Sequence, residues 1–334
     1  MNILVLGVSG NVSIGIVKAI KNSNIDAYIV GACVQKYSAG FAFCDLNLLS
    51  PYADSDKFLP WLKKTLEDNK IDAVLSGVEE VNEVLAKLNN LREKCHILVP
   101  QKTHLNIFND KFTTINWLSQ NNISHPKTLD LSNKTNFSKI KQDLGLPFIV
   151  KPKKSKGSIG TIKIVNKVQY EDLKNKKNLI AQQLIGDVNN EYTCGVYKSK
   201  FGYTEIIIMR RFLKNGSTIM AEVESNNKIY NYCKKITDCL DTTVPFNIQL
   251  QLCKITKEPL CFEINMRLSG TTPIRHGFGF KDCQVWIKES VMNKNYQSEF
   301  NVKPGVALRY EDEVFLSKKD LEIQSYIATR DKIK

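Results

Sequence analysis

The chain has 334 residues and a formal net charge of +13, from 47 lysines and arginines against 34 acidic residues. Its apolar fraction of 43% and charged fraction of 24% are those of a globular protein and exclude wholesale disorder. At about 150 residues per domain, the length predicts two domains. No apolar run approaches the ~18 residues of a membrane span, and the N-terminal residues lack the basic start of a signal peptide, so we expect a cytoplasmic protein.

Charge and cysteine content narrow the class of protein further. Only seven of the basic residues are Arg, and the Lys residues are dispersed along the chain. This pattern favours a solvated surface over a nucleic-acid-binding surface, with an anionic partner as the alternative. The nine Cys residues form no CxxC pair, which indicates reduced thiols and no zinc site.

Residues 1–100 alternate between short apolar runs and amphipathic segments. The alternation predicts βαβ units and a parallel sheet. The glycines after the first strand, Gly7, Gly10 and Gly15, do not have the GxGxxG spacing of a dinucleotide site, so they indicate a tight strand-to-helix turn and not an NAD site. Strands are predicted at 3–6, 27–30, 73–75 and 97–100, and helices at 12–21, 58–66 and 80–91.

From about residue 101 the pattern changes to an α+β arrangement rich in antiparallel strands. Helices are predicted at 103–108 and 111–121, and residues 306–310 form a candidate closing strand near the C-terminus. The other strand candidates are 146–151, 162–165, 179–185, 191–197, 204–209, 219–223, 246–255 and 260–265.

A basic, glycine-containing loop at 153–161 follows the predicted strand that ends at Lys151, and a second lysine, Lys111, starts a predicted helix. Glycine-rich loops expose backbone N–H groups to phosphate oxygens, and neighbouring lysines neutralise the phosphate charge. The loop therefore predicts a phosphate site, although a basic surface hairpin would have the same composition.

Three polar residues, Glu263, Asn265 and Arg267, alternate with apolar residues along one predicted strand. The period of two places them on one face of the sheet. Such oxygen ligands suit Mg²⁺ bound together with nucleotide phosphates, and the guanidinium suits a transferring phosphoryl group. A solvent-facing polar strip is the alternative interpretation.

Taken in order, these features resemble the ATP-grasp superfamily, and within it the branch of carboxylate–amine ligases that are like the large chain of carbamoyl phosphate synthase. The matching motifs span about residues 101–279. The resemblance implies an N-terminal Rossmann-like α/β domain (1–100), a two-lobed α+β ATP-grasp domain (101–292, with a lid lobe at about 126–186) and a C-terminal extension (293–334) that closes the fold.

The resemblance also implies roles for individual residues. Lys111 and Lys151 would bind the ATP phosphates under a lid that includes Gly157, Ser158, Gly160 and Thr161, while Gln183 and Leu184 would contact adenine and Glu191 the ribose. One or two Mg²⁺ ions would be bound by Gln249, Glu263 and Asn265, and catalysis would use Lys151 and Arg267. The acceptor would be bound by Arg210 or Arg211 and by Ser269, Gly270, Thr271, Thr272 and Arg275.

The implied reaction is ATP-dependent activation of a small carboxylate and its joining to an amine. A kinase that stops at phosphoryl transfer and a non-catalytic nucleotide-binding protein are the alternatives. Because many members of the family are dimers, a homodimer is an expectation as well. In the N-terminal part, Glu79 and Glu80 either reach the pocket or form a solvated helix start, and no chemistry is predicted for residues 293–334.

Overall fold

The computed structural model of the protein describes residues 1–88, 95–133, 136–155, 157–186 and 190–318. Within these ranges the strands form a five-stranded, a four-stranded and a six-stranded sheet. The end of the predicted helix 80–91 lies outside the described residues. None of the described helices has both the length and the apolar character needed to cross a bilayer.

The N-terminal sheet is parallel, with the strand order β3-β2-β1-β4-β5. The predicted parallel sheet is therefore confirmed, although the short strand β3 was not predicted. The strand order reverses beside β1, so the loops after β1 and β4 diverge and leave a crevice at their carboxyl ends. The elements are β1 (Asn2–Leu6), α1 (Asn11–Lys21), β2 (Tyr28–Cys33), β3 (Leu46–Leu49), α2 (Phe58–Asp68), β4 (Ala73–Ser76), α3 (Glu79–Leu85) and β5 (His96–Ile97).

The four-stranded sheet is antiparallel, with the order β6-β9-β7-β8. Its core packs Phe148, Val150 and Ile164 against Ile140 and Tyr170 of the adjacent helices. Two helices precede this sheet along the chain. The elements are α4 (Lys102–Phe108), α5 (Lys111–Gln120), β6 (Thr128–Asp130), α6 (Phe137–Leu144), β7 (Phe148–Pro152), β8 (Ile162–Ile164), α7 (Lys167–Glu171) and β9 (Leu179–Gln183).

The six-stranded sheet is antiparallel, with the order β14-β13-β10-β11-β12-β15. Its edge strand β15 confirms the predicted closing strand, whereas α8, α9 and α10 were not predicted. The elements are β10 (Glu191–Lys198), β11 (Thr204–Lys214), β12 (Ser217–Val223), α8 (Asn227–Asp238), β13 (Pro245–Leu252), β14 (Pro259–Asn265), α9 (Thr272–Gly277), α10 (Asp282–Met292) and β15 (Val306–Leu308).

One apolar core joins the parallel sheet to the six-stranded sheet. Ile3 and Val5 of β1 belong to the same buried cluster as Ile248 of β13 and Ile264 of β14. At the contact between α1 and α9, a Cβ on Gly15 would lie 2.9 Å from Pro273 Cδ, so glycine is needed for this close approach. The core thus fixes the crevice of the parallel sheet against β13 and β14.

The turn between β11 and β12 touches the glycine loop that follows β7. Asn215 and Gly216 form this turn with φ values of 50° and 73°, as is usual for Asn-Gly in a two-residue hairpin. A Cβ on Gly216 would lie 2.1 Å from the carbonyl oxygen of Gly157. The hairpin tip and the loop can therefore meet only with a glycine at position 216.

The Gly216→Ala variant should displace the loop around Gly157, because the added methyl group would clash with a backbone oxygen. The matched control is Gly202→Ala, whose φ is also positive (90°) but whose Cβ would meet no atom within 4 Å. We expect trypsin to cut after exposed Lys154 several-fold faster in Gly216→Ala than in Gly202→Ala, since cleavage follows local opening. Equal cleavage rates in the two variants would contradict the contact.

Candidate active site

A cavity of about 390 Å³ lies between the loops that follow β1 and β4 and the polar face of β13 and β14. Ser13 ties the two loops together, since its Oγ donates to Leu6 O (2.8 Å) and accepts from the Gly77 N–H (3.0 Å). The lining includes ten residues that were predicted as site residues: Gly157, Ser158, Arg211, Gln249, Glu263, Asn265, Arg267, Ser269, Gly270 and Thr271.

The floor of the cavity is a row of oxygen-bearing side chains. The antiparallel register places Gln249 opposite Glu263 and Asn247 opposite Asn265. Next to this row, Phe262 forms a β-bulge and has no partner on β13. The predicted alternation of faces along β14 therefore holds for the polar residues but not for Phe262. The sequence therefore predicted the shared polar face, and Asn247 extends it by one residue.

The donor set of this floor suits a hard divalent cation. Gln249, Glu263 and Asn265 offer one carboxylate and two amide oxygens, the atom type that Mg²⁺ prefers. In the part of the chain that the structure describes, no group of three or more His, Cys, Asp and Glu residues could hold a metal. A cation at this floor would therefore be held by one carboxylate and two amide oxygens, together with oxygen atoms of a bound ligand or of water.

Two lysines flank Glu263. Lys111 starts α5, and its Nζ donates to Ser155 O (2.9 Å) and lies 3.9 Å from Glu263 Oε1. Lys151, on β7, points its Nζ at the Phe262 ring, 5.2 Å from the centroid. Burial lowers the pKa of Lys151 to about 8, partly offset by the charge of Glu263. Positive charge is thus concentrated beside the single carboxylate of the floor.

Arg211 connects two of the predicted site residues. Its Nε and Nη2 donate to Glu191 Oε1 at 3.0 and 2.7 Å, and Nη2 also donates to Gln249 Oε1 at 2.9 Å. Arg210 lies outside the cavity lining, because successive strand residues face opposite sides of a sheet. It pairs instead with Glu222 (2.5 Å) and Glu224 (2.7 Å).

Arg267 is held by a residue of the N-terminal part of the chain. Its Nε and Nη2 donate to Glu79 Oε1 at 3.2 and 2.7 Å, and its Nη1 donates to Leu268 O at 3.3 Å. Glu79 lines the cavity, whereas Glu80 is exposed. The structure therefore separates the two acids: Glu79 reaches the pocket and Glu80 belongs to the solvated helix start.

The turn at 269–272 lies at one end of the cavity and depends on buried residues. Ser269 Oγ lies 2.9 Å from Thr271 Oγ1, and buried Thr272 Oγ1 accepts from the Ser269 N–H (3.1 Å). Arg275, expected to contact the acceptor, is fully buried outside the cavity lining. It forms a 2.5 Å ion pair with Asp282 and donates to Ser269 Oγ at 3.3 Å, so it supports the turn from below.

The remaining predicted residues do not line this cavity. Gln183 ends β9 and its N–H donates to Lys127 O (2.9 Å), and Leu184 follows it with 37% of its surface exposed. Gly160 lies in the loop after β7, where a Cβ would be 2.9 Å from Pro152 Cγ, and Thr161 follows it. The structure brings neither pair to the floor formed by β13 and β14.

Sequence analysis missed several residues that line the cavity. Asn247 alternates with Gln249, so the period of two could have identified it. Asn11, at the start of α1, had no signal beyond the glycine turn before it. Arg309 comes from the C-terminal part of the chain and reaches the cavity because β15 pairs with β12. No local motif marks such a long-range contact.

Comparison with known proteins yields a match to one domain model and several similar ligases. Residues 108–271 match the model of the ATP-grasp domain. The chain is 26% identical to D-alanine–D-alanine ligase of Prochlorococcus marinus strain MIT 9312 over 223 residues. The aligned residues cover 66% of this chain and 56% of that protein. The chain thus spans little more than half the length of this curated relative. The corresponding ligase of Neisseria meningitidis strain FAM18 is 35% identical over 80 residues, which cover 22% of this chain and 26% of the ligase.

Solved structures share the fold at low sequence identity. N5-carboxyaminoimidazole synthetase from Staphylococcus aureus, complexed with ADP, has a TM-score of 0.74 at 16% identity and covers 97% of this chain and 84% of its own. L-amino acid ligase from Bacillus licheniformis has a TM-score of 0.69 at 14% identity, covering 91% and 77%. At these identities the likeness establishes the fold alone.

Loss of the buried ion pair between Arg275 and Asp282 should destabilise the fold more than loss of an exposed ion pair does. The Asp282→Asn variant would leave the Arg275 guanidinium buried without a counter-charge, which should lower the free energy of unfolding by about 3–5 kcal/mol. The control is Asp238→Asn, which removes the exposed i,i+4 pair with Lys234 and should cost less than about 0.5 kcal/mol. Urea unfolding measures both values, and similar losses in the two variants would contradict the role of the buried pair.

Proposed function

We propose, from the premise that residues 108–271 form an ATP-grasp domain, that the protein is an ATP- and Mg²⁺-dependent ligase that activates a carboxylate and joins it to an amine. The observation that supports this most strongly is the cavity floor, where Glu263, flanked by Lys111 and Lys151, lies opposite Gln249. The relatives named above, D-alanine–D-alanine ligase and L-amino acid ligase, support the same reaction class.

ATP would lie between the two sheets of the ATP-grasp part. Lys111 and Lys151 would bind its phosphates, and the loop with Gly157 and Ser158 would donate backbone N–H groups. Gln183 and Leu184 would contact adenine. The ribose hydroxyls would bind Glu191 at Oε2, because Oε1 already accepts from Arg211, whereas Oε2 accepts, among the residues described, from Gln251 Nε2 at 3.2 Å.

The oxygen atoms of Gln249, Glu263 and Asn265 would hold Mg²⁺. When bound, this ion neutralises phosphate charge as a Lewis acid. Because the protein supplies one carboxylate here, these three residues would hold the ion more tightly when the phosphate oxygens of a nucleotide are also present. The amide of Gln249 is oriented by Arg211, which donates to its Oε1 at 2.9 Å.

Catalysis would consist of positioning and electrostatic stabilisation. The acceptor carboxylate, oriented by the hydroxyl groups of Ser269 and Thr271, attacks the γ-phosphorus and ADP leaves. Arg267, oriented by Glu79, and Lys151 stabilise the charge on the phosphoryl oxygens. The amine then attacks the acyl phosphate and expels phosphate, while the loop after β7 excludes water.

The test is ADP release from Mg²⁺-ATP with pooled small acids and amines, added singly and in pairs. We expect release only with an acid–amine pair, and at least a hundredfold loss in Glu263→Ala because a phosphate-side carboxylate is removed. The control is Glu258→Ala, an exposed glutamate in the turn before β14 that pairs with Lys228 and should not affect the rate.

Other outcomes separate the alternatives. ADP released with an acid alone, together with a stable phosphorylated product, would identify a kinase. An acyl phosphate that simply hydrolyses would instead be trapped by hydroxylamine. Nucleotide binding without turnover in any mixture would contradict the ligase and favour a non-catalytic protein.

The lowered pKa of Lys151 predicts a pH dependence of nucleotide binding. The amine has a pKa of about 8, and phosphate oxygens favour its charged form, so binding above pH 8 must take up a proton. Affinity for Mg²⁺-ADP should fall about tenfold between pH 7 and pH 9. Lys151→Arg stays charged throughout this range and should show no comparable fall in a calorimetric titration. The same pH slope in both proteins would exclude Lys151 as its cause.

A further inference from the structure

Arg309 reaches the cavity from outside the matched ATP-grasp residues. It follows β15, and its N–H donates to Ile219 O of β12 at 2.8 Å. Its Nη2 donates to Gly270 O at 2.6 Å, in the turn at one end of the cavity. The guanidinium is therefore held at a defined position by the backbone of two elements.

The charge of Arg309 is not balanced within the described residues. Arg211 pairs with Glu191 and Arg267 pairs with Glu79, each at 2.7 Å. Arg309 forms no ion pair with any carboxylate that the structure describes, and burial lowers the pKa of its guanidinium. A half-buried cation that binds only a backbone carbonyl has N–H groups left for an anion.

The start of α1 faces the same turn. Asn11 Nδ2 lies 3.2 Å from the position that a Cβ on Gly270 would occupy. The N-cap residue, Gly10, has no side chain to cap the first N–H groups of this 11-residue helix, and the first turn contains no acidic residue. The uncapped N–H groups and the helix dipole both favour negative charge here.

An independent observation comes from Asn247, which is 1% exposed and lines the cavity. Its Oδ1 accepts from Thr193 Oγ1 (2.9 Å) and from Ser269 Oγ (3.5 Å). Its Nδ2 has no hydrogen-bond partner. Buried donors are rarely left without an acceptor, so this amide indicates that a ligand supplies one.

We infer that Arg309, Asn247, the start of α1 and the turn at 269–271 form a subsite for an anionic group, a carboxylate or a phosphate, of the non-nucleotide substrate. This inference rests on the proposed function, since Glu263, with Lys111 and Lys151 beside it, is assigned to ATP. Arg309 is then a specificity-determining residue: a substrate without an anionic group would leave its guanidinium unpaired and would bind more weakly.

The variants are chosen to separate charge from folding. Arg309→Gln removes the guanidinium, and Arg309→Lys keeps the charge without the planar donor pair. Asn11→Asp places a carboxylate in the subsite at a helix start, where an acid stabilises the helix, so weaker binding could not be ascribed to unfolding. The control is Lys303→Gln, which removes an exposed charge from the segment before β15.

The measurement is the affinity of the full-length chain for two probes, succinate and ribose 5-phosphate, at constant ionic strength. Mg²⁺ and the β,γ-imido analogue of ATP are present, so that the phosphate end is filled. We expect one probe to bind, which identifies the anion as carboxylate or phosphate. Arg309→Gln should weaken that binding at least tenfold, Arg309→Lys less, and Asn11→Asp several-fold at an undiminished Tm, whereas Lys303→Gln should leave it unchanged.

Other outcomes overturn the subsite. They are binding of neither probe to the unmodified chain, or equal binding to Arg309→Gln. Failure of the ligase proposal is distinguishable from failure of the subsite. Anion binding that depends on Arg309, with no ADP release from any acid–amine mixture, would contradict the ligase alone. ADP release with an unchanged KM for both acid and amine in Arg309→Gln would contradict the subsite alone.

Discussion

The register between β13 and β14 is the constraint on which the site depends. Gln249 opposite Glu263 and Asn247 opposite Asn265 place four oxygen-bearing side chains on one face, and a slip of one residue would turn one strand's polar residues into the core. The opposite face packs Ile248 into the cluster that also contains β1 and α1. The apolar packing that stabilises the fold therefore also sets the polar floor opposite the loops after β1 and β4.

The net charge around the cavity is positive because few carboxylates are available to pair with its basic side chains. Glu191 and Glu79 are each bound by an arginine, and Glu263 is approached by Lys111. Lys151 has no carboxylate within ion-pair distance among the residues described, and burial destabilises its charged ammonium form. The cavity and the two lysines beside it therefore have an excess of positive charge, which suits a polyanion such as a nucleotide.

Periodic patterns were readable from the sequence where one face of an element is polar. The alternation around Glu263 and Asn265 located the floor, and β1 with α1 were found as a strand and a helix. Two helices of the structure, α8 and α10, were not predicted from the sequence, for different reasons. α8 buries one stripe that was overlooked, containing Ile229, Cys233 and Ile236, whereas α10 buries both apolar and charged residues, so its composition has no helical period. Contacts between distant segments, such as Glu79 with Arg267, leave no local pattern at all.

The two arginines near the turn at 269–272 show why sequence proximity misleads. Arg275 follows the turn directly and was expected in the cavity, but one helical turn carries it beneath Ser269, where Asp282 neutralises it. Arg309 is separated from the turn by about 40 residues, yet strand pairing brings its guanidinium to Gly270 O. A buried cation with a built-in counter-charge supports structure, whereas a cation that binds, among the residues described, a carbonyl and no carboxylate keeps its charge available. The roles of the two arginines therefore differ because their counter-charges differ. Arg275 pairs with an acid of the protein, whereas Arg309 would pair with an anionic group of the substrate.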